Sequence, residues 1–375
     1  MGFAMTSHSE LPRWVDIGLI PALNLVIAFV MAGLVVLLIG ENPLRALSIL
    51  LGDPLFTLQG WCNIFYYATN FIFTGLCVAM AFHAGLFNIG GEGQAYVAGL
   101  GAATPGLLIG GALATLLPNA MSQPITLLIC LVSSFLVGGI WGLFPGYLQA
   151  KRGSHIVITT IMLNFIAASV MQYMINRVYR PTGNQAVESR AIDGAYIWNL
   201  REIGRAIGLK LPSTPLTPVI FVALLAAFCV WFLLWRTKLG YEIRVVGANA
   251  DAAVYAGISP AKIIMITMTI SGGLAGLVAF HEVLGTQHRL VLEYVQGAGF
   301  VGIAVALMGR SHPLGIVLSA LLFGLLSEGG TQLSFEIQSI SKDLVVVIQG
   351  LVVLFMGALE QAFHPWLQKF FRQEA

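Results

Sequence analysis

Phe87-Asn88-Ile89-Gly90-Gly91-Glu92-Gly93-Gln94 is a glycine-broken, partly polar passage lodged between two strongly apolar segments. A hydrocarbon interior offers no water to an interrupted backbone. Such a passage is stable at membrane depth only where protein buries it or where it lines a polar cavity. The glycines at 90, 91 and 93 permit backbone angles that other residues resist. Glu92 falls near the start of the next apolar segment, where a helix dipole favours an anion. Two readings stand. Either Glu92 is a helix-capping acid in a packed bundle, or Asn88, Glu92 and Gln94 line or shape a solute route, since ionisable groups within membranes usually carry function. Asn164, near the middle of a later apolar segment, is a fourth candidate for that route.

The surrounding composition is that of an integral membrane protein. The 375 residues are 57% hydrophobic and 10% charged, against about 25% charged in soluble chains, and mean hydropathy is +0.85. A net charge of +2 gives no reason to expect a nucleic-acid partner. Cys62, Cys77, Cys130 and Cys229 lie in apolar runs without CxxC spacing and read as small buried hydrophobes. The first 18 residues contain Glu10 and Asp16, and no small-residue cleavage site follows the next apolar run, so they do not read as a cleavable signal.

A bilayer core of about 30 Å needs roughly 20 helical residues. Crossings are expected at 19–39 and 62–82, with a polar connection containing Pro43 and Pro54 over 41–60. Asn63 and Asn70 in the second crossing read as helix-packing hydrogen bonders. The uncharged stretch 93–150 would reach about 85 Å as one helix, so it must turn, and Pro118 to Pro124 supplies the break. Further crossings follow at 93–116, 125–150, 156–176, 215–235 and 263–280, the last with Gly272 and Gly276 in GxxxG spacing. Residues 295–309 carry Gly297, Gly299 and Gly302 and are too short to span, and elements at 314–330 and 344–359 complete the set. The expectation is an all-α polytopic membrane protein of about ten transmembrane helices.

Counting Lys and Arg in short loops orients the chain. With both termini cytoplasmic, Lys151, Arg152, Arg236, Lys238, Arg244, Lys262 and Arg310 all fall inside. The 177–214 loop is then external, against the rule, because it carries Arg180, Arg190, Arg201, Arg205 and Lys210. The organisation expected is a cytoplasmic segment 1–18, one transmembrane domain 19–362 and a cytoplasmic tail 363–375. The halves echo each other: a span leads into a glycine-rich interruption (88–93; 296–302), and further segments follow. Two broken or re-entrant helices in an inverted repeat point to a pathway at their interface.

The second informative stretch is 236–262. Asn249 can cap a short helix Ala250–Tyr255, and Gly257 can end it, which suits a rigid peg for a partner's groove. Thr237, Gly240, Arg244, Gly247, Asn249, Ala252, Ala253, Gly257 and Ile258 follow T-x-x-G-x-x-x-R-x-x-G-x-N-x-x-A-A-x-x-x-G-I. This resembles the cytoplasmic coupling segment of ABC-importer permeases in the branched-chain amino acid/simple-sugar superfamily. Ala250 departs from the pattern, standing where proline is common. Residues 84–94, Thr159 to Asn164 and the run 299–309 are similar to the nucleoside-import branch.

The resemblance implies a permease subunit of an ATP-driven importer in a bacterial inner membrane, working with a second permease (a paralogue, or a copy in a homodimer). An external binding protein would deliver a nucleoside, or in the alternative a simple sugar such as ribose or galactose. A separate ATP-binding subunit would supply ATP and Mg, and Gly240, Arg244, Gly247, Asn249, Ala252, Ala253 and Gly257 would couple to it. No cofactor is expected on this chain, and no GxxxxGK[ST] loop is present. An ion-coupled secondary transporter would want acids or arginines in mid-span. A membrane enzyme would want a clustered catalytic set, whereas His281, His288 and His312 are scattered at segment ends as surface or packing residues.

Overall fold

The computed structural model describes residues 19–341, 344–351 and 354–355. The expected segments 1–18 and 363–375, and part of the crossing at 344–359, lie outside the described residues. Among the described residues the chain is helical, with one isolated antiparallel bridge, Glu188 to Val291.

Among the described residues up to Glu336 the α-helices are, in order, α1 Ile20–Leu38, α2 Pro43–Phe56, α3 Leu58–Phe82, α4 Gly91–Leu116, α5 Asn119–Arg152, α6 Ile156–Met174, α7 Leu200–Ala206, α8 Val219–Arg236, α9 Lys238–Ala248, α10 Ala250–Tyr255, α11 Pro260–His281, α12 Ala298–Met308 and α13 Pro313–Glu336. Helices α6 and α11 continue as π-helical turns, Ile175–Tyr179 and Glu282–Gln287. Among the described residues, seven helices are long and apolar enough to cross a membrane, with Val26–Leu38 and Ala298–Met308 as shorter apolar ones. The chain is therefore a multi-pass membrane protein. Residues 344–351 are helical as well.

Three expectations change. The 41–60 connection is not a polar loop, because α2 fills most of it. Pro43 opens that helix, where its missing N–H costs nothing, and the Asn42 side chain accepts from the Leu44 amide at 2.9 Å. Cys229 is exposed on α8, unlike the other three cysteines. The α11 helix does not stop at residue 280, so Glu282 enters the bundle interior with 2% of its surface exposed.

The chain forms two compact units, residues 1–53 with 329–375, and residues 54–328. The described core of the first unit gathers Ala32, Val36, Ala46, Ile49, Leu333, Ile337 and Ile340. In the second unit, α3 packs on α11 and α12, while α11 packs on α3, α4 and α5. Thus α3 and α11 each lie against the helix that follows the other one's glycine-rich interruption. The GxxxG pair of α11 meets a matching pair on α5: a Cβ at Gly138 would strike the Gly272 carbonyl, and one at Gly276 the Ser134 carbonyl. Small residues allow that backbone contact where lipid supplies no hydrophobic drive between helices.

The two asparagines of α3 are packing hydrogen bonders. Asn63 Nδ2 donates to Glu328 Oε1 at 3.0 Å, and Asn70 Nδ2 to Glu282 Oε1 at 2.5 Å. His281, completely buried, lies with its Nδ1 2.8 Å from Asn70 Oδ1. The long 180–218 connection is tied to the segment after α11. Arg289 pairs with Glu188 at 2.6 Å, and the Tyr196 ring stacks on His288 with centroids 4.0 Å apart. The Tyr196 hydroxyl donates to Glu202, which holds its phenol well up, at about 12.

Candidate translocation and coupling sites

The opening passage is held by its own polar side chains. Asn88 and Gln94, both fully buried, exchange amide hydrogen bonds at 2.9 and 3.1 Å. Asn88 also donates to Ser271 Oγ of α11 at 2.9 Å and accepts from the Gly90 amide at 2.9 Å. From α6, Asn164 Oδ1 accepts from the Gly93 amide at 2.9 Å, and its Nδ2 donates to the Ile89 carbonyl at 3.0 Å. The Gly90 and Gly93 amides and the Ile89 carbonyl, left open by the broken backbone, thus find side-chain partners, as a buried site demands.

Glu92 does something else. Its two oxygens accept from the amides of Gly297 and Gly299 at 2.9 and 2.8 Å, at the start of α12. The first amides of a helix have no partner within it, and a carboxylate there also meets the positive end of the dipole. Glu92 therefore caps a helix some 200 residues distant in the chain, and the two glycine-rich interruptions join through it. The contact is close: a Cβ at Gly299 would collide with the Glu92 backbone. Tyr294 completes the seam by donating to the Ala95 and Tyr96 carbonyls, at 2.6 and 2.9 Å. The four sequence-chosen pathway residues are thus gathered in one place, and Asn88 and Gln94 are sealed inside it.

The second site is built from α9 and α10. Thr237 caps α9 by accepting from the Gly240 amide at 3.1 Å. The expected helix Ala250–Tyr255 is present, with Asn249 Oδ1 accepting from the Ala252 amide at 2.9 Å and Gly257 at φ 75°. The coupling candidates divide by direction. Gly240 and Gly247 face inward, where added Cβ atoms would strike the Leu233 and His83 carbonyls, and Ala253 is buried. The Nε of Arg244 is buried and bonded to nothing among the described residues. Ala252, Asn249 and Gly257 lie at the surface.

The outermost apolar groups are Tyr255, 95% exposed, Val254 and Tyr241. Sequence reasoning passed these over; an exposed aromatic in a capped turn was the available signal. Beneath the peg, His83 after α3, Trp235 of α8 and His312 before α13 form an aromatic column. Its centroids are 5.2 and 5.1 Å apart, and His83 Nε2 lies 3.1 Å from the Ser311 carbonyl.

A family model described as branched-chain amino acid transport system / permease component matches residues 60–357. The chain is similar to the guanosine ABC transporter permease protein NupP of Bacillus subtilis, 34% identical over 356 residues, covering 91% of this chain and 93% of that one. It is also similar to the nucleoside ABC transporter permease protein NupB of Lactococcus lactis, 28% identical, covering 90% of each chain. A third relative is the glucose ABC transporter permease protein TsgB13 of Haloferax volcanii, 28% identical, covering 92% of this chain and 88% of that one. The matched region takes in both glycine-rich interruptions and the α9–α10 peg, and the chain belongs to the family of branched-chain amino acid transport system permease components.

Proposed function

We propose that this chain is one membrane subunit of an ATP-driven importer of nucleosides, lodged in a bacterial inner membrane with both termini cytoplasmic. The observation that carries the reading is the 34% identity to a guanosine permease across nine-tenths of both chains. The domain order is a cytoplasmic segment 1–18, a transmembrane body 19–362 and a cytoplasmic tail 363–375. The body has ten crossings or part-crossings in an inverted repeat. The interruptions before α4 and α12 are its broken or re-entrant elements, supported by the reciprocal packing of α3 on α12 and α11 on α4. Asn88, Glu92, Gln94 and Asn164 shape the route by fixing the break.

The peg docks on a separate ATP-binding subunit that holds ATP and Mg. Gly240, Arg244, Gly247 and Ala253 seat it, Asn249 and Gly257 shape it, and Ala252 with Tyr255 faces the partner. A second, paralogous permease and an external binding protein complete the importer. A simple-sugar substrate is the second reading, favoured by the 28% identity to a glucose permease.

Uptake of labelled guanosine by the whole complex, in competition with unlabelled guanosine, ribose, glucose and leucine, tests the substrate. Guanosine alone should compete; competition by a sugar alone moves the assignment to the second reading. Co-purification tests the peg: Tyr255→Ser should release the ATP-binding subunit while the permease remains in the membrane. Full recovery of that subunit removes the docking assignment.

A further inference from the structure

Of the pathway residues chosen from sequence, Asn88 and Gln94 are sealed within the protein, so a hydrophilic solute needs a further polar wall. The outward faces of α8 and α5 are ruled out by their chemistry. On α8 the exposed large side chains are Phe221, Leu224, Leu225, Phe228 and Phe232, and on α5 they include Leu128, Val132, Leu136, Ile140 and Phe144, apolar along their whole length. Such faces suit lipid.

The outward face of α6 differs. It begins in the same way with exposed Ile158, Met162, Phe165 and Ile166. At Ser169 the same face turns polar, and Ser169, Gln172, Tyr173, Asn176, Arg177 and Arg180 line an open cavity of 530 Å³. These positions recur at three- and four-residue intervals, so they share one side of the helix. Ser169 lies about 20 Å along the helix from Ile156 and Gln172 about 24 Å, inside a hydrocarbon core of about 30 Å. Arginines near a helix end reach the interface by snorkelling, and Ser169 donates to the Phe165 carbonyl at 3.1 Å, but Gln172 is too short to reach it. Among the described residues the Gln172 carboxamide and the Arg177 guanidinium are bonded to nothing. Exposed to lipid, such groups would be costly; exposed to water, they are free to receive a ligand.

We propose that this half of α6 is a wall of the solute path and that its occupant is a neutral, hydroxyl- and amide-bearing solute of nucleoside size. The cavity falls in the range of small-molecule sites, roughly 300–1,000 Å³. Gln172, with the open Asn176 Oδ1, offers the paired donors and acceptors that match a nucleobase edge or a ribose diol. The Tyr173 ring, 64% exposed, offers a stacking surface. The inference rests on the permease reading and adds the wall and its chemistry to it.

The test uses the whole transporter in proteoliposomes, in a Cys229→Ala background that leaves only the buried cysteines. Ser169→Cys, Gln172→Cys and Asn176→Cys are compared with Leu136→Cys and Phe228→Cys for reaction with a charged, membrane-impermeant thiol reagent. The α6 variants should react, the two controls should not, and guanosine should slow the reaction. Gln172→Ala should raise the KM for guanosine uptake about 3- to 10-fold, the size of one lost neutral hydrogen bond, with maximal rate held within about twofold.

Labelling at the control rate would place the face in lipid and overturn the proposal. Labelling that no solute slows, with KM unchanged in Gln172→Ala, would overturn it too and leave the face as a contact between subunits. Protection by glucose but not guanosine would uphold the α6 wall while removing the nucleoside reading.

Discussion

The interruptions before α4 and before α12 solve one problem in two ways. Each starts a helix inside the protein after a glycine-rich break, and each must satisfy amides that the new helix leaves open. The first does so with its own side chains and one from α6: Asn88, Gln94 and Asn164. Its only left-handed residue is a glycine, Gly85. The second supplies no side-chain cap of its own at Gly297. It twists three non-glycine residues, His288, Glu293 and Gln296, into left-handed conformations, which are strained states for L-residues. Its helix amides then rest on a carboxylate from the first interruption. One break holds itself, and the other leans on it.

Removing the shared prop should separate them most sharply. Glu92→Leu leaves the Gly297 and Gly299 amides without acceptors, an expected loss of about 2–6 kcal/mol at about 1–3 for each buried unpaired group. Glu92→Gln keeps one acceptor oxygen and should lose about half as much. Thermal unfolding of the purified permease in detergent compares the two. Equal stability of Glu92→Leu and wild type would show that the second interruption holds itself as well.

Asn88→Ala attacks the first interruption alone. It orphans the Gly90 amide and one end of the Gln94 pair, an expected cost of about 1–3 kcal/mol, smaller than for Glu92→Leu. Hydrogen exchange should then rise over 86–94 while 297–302 stays protected. Exchange rising equally in both would mean that the dependence runs in both directions.

The smallest effect is one of pH. A histidine lies beside each interruption, outside the spanning helices, and burial holds both His83 and His288 below the ordinary imidazole range. A group whose folded value is lowered adds stability that is complete above its unfolded value, about 6.5, and declines as pH falls beneath it. Apparent melting temperature should therefore drop between pH 7 and 5.5. The His83→Gln, His288→Gln double variant should flatten that slope, and an unaltered slope would assign it to other groups.

Local chemistry was readable before the structure, and relations across the chain were not. Asn249 and Gly257 mark the ends of α10 because capping acts over a few residues. The break at 88–94 stood out because polar side chains sat in an apolar run. The destination of Glu92 could not be read, since nothing near it mentions Gly297. Glu282 went unseen inside the bundle because hydropathy closes a span at Phe280, while the helix runs on to Gln287. Cys229 was misplaced because an apolar run looks the same whether it faces core or lipid. The polar half of α6 was lost for a related reason, since averaging along a segment erases the difference between its two sides.

Gly247 carries one further consequence. The peg rests directly on the main chain at His83, with no room between them even for a methyl group. Side chains flex and absorb small movements, whereas bare backbone pressed on backbone has almost no slack. A push on the peg from below therefore arrives at the foot of α3 undamped, and α3 is the same helix that carries Asn70 up to the buried Glu282.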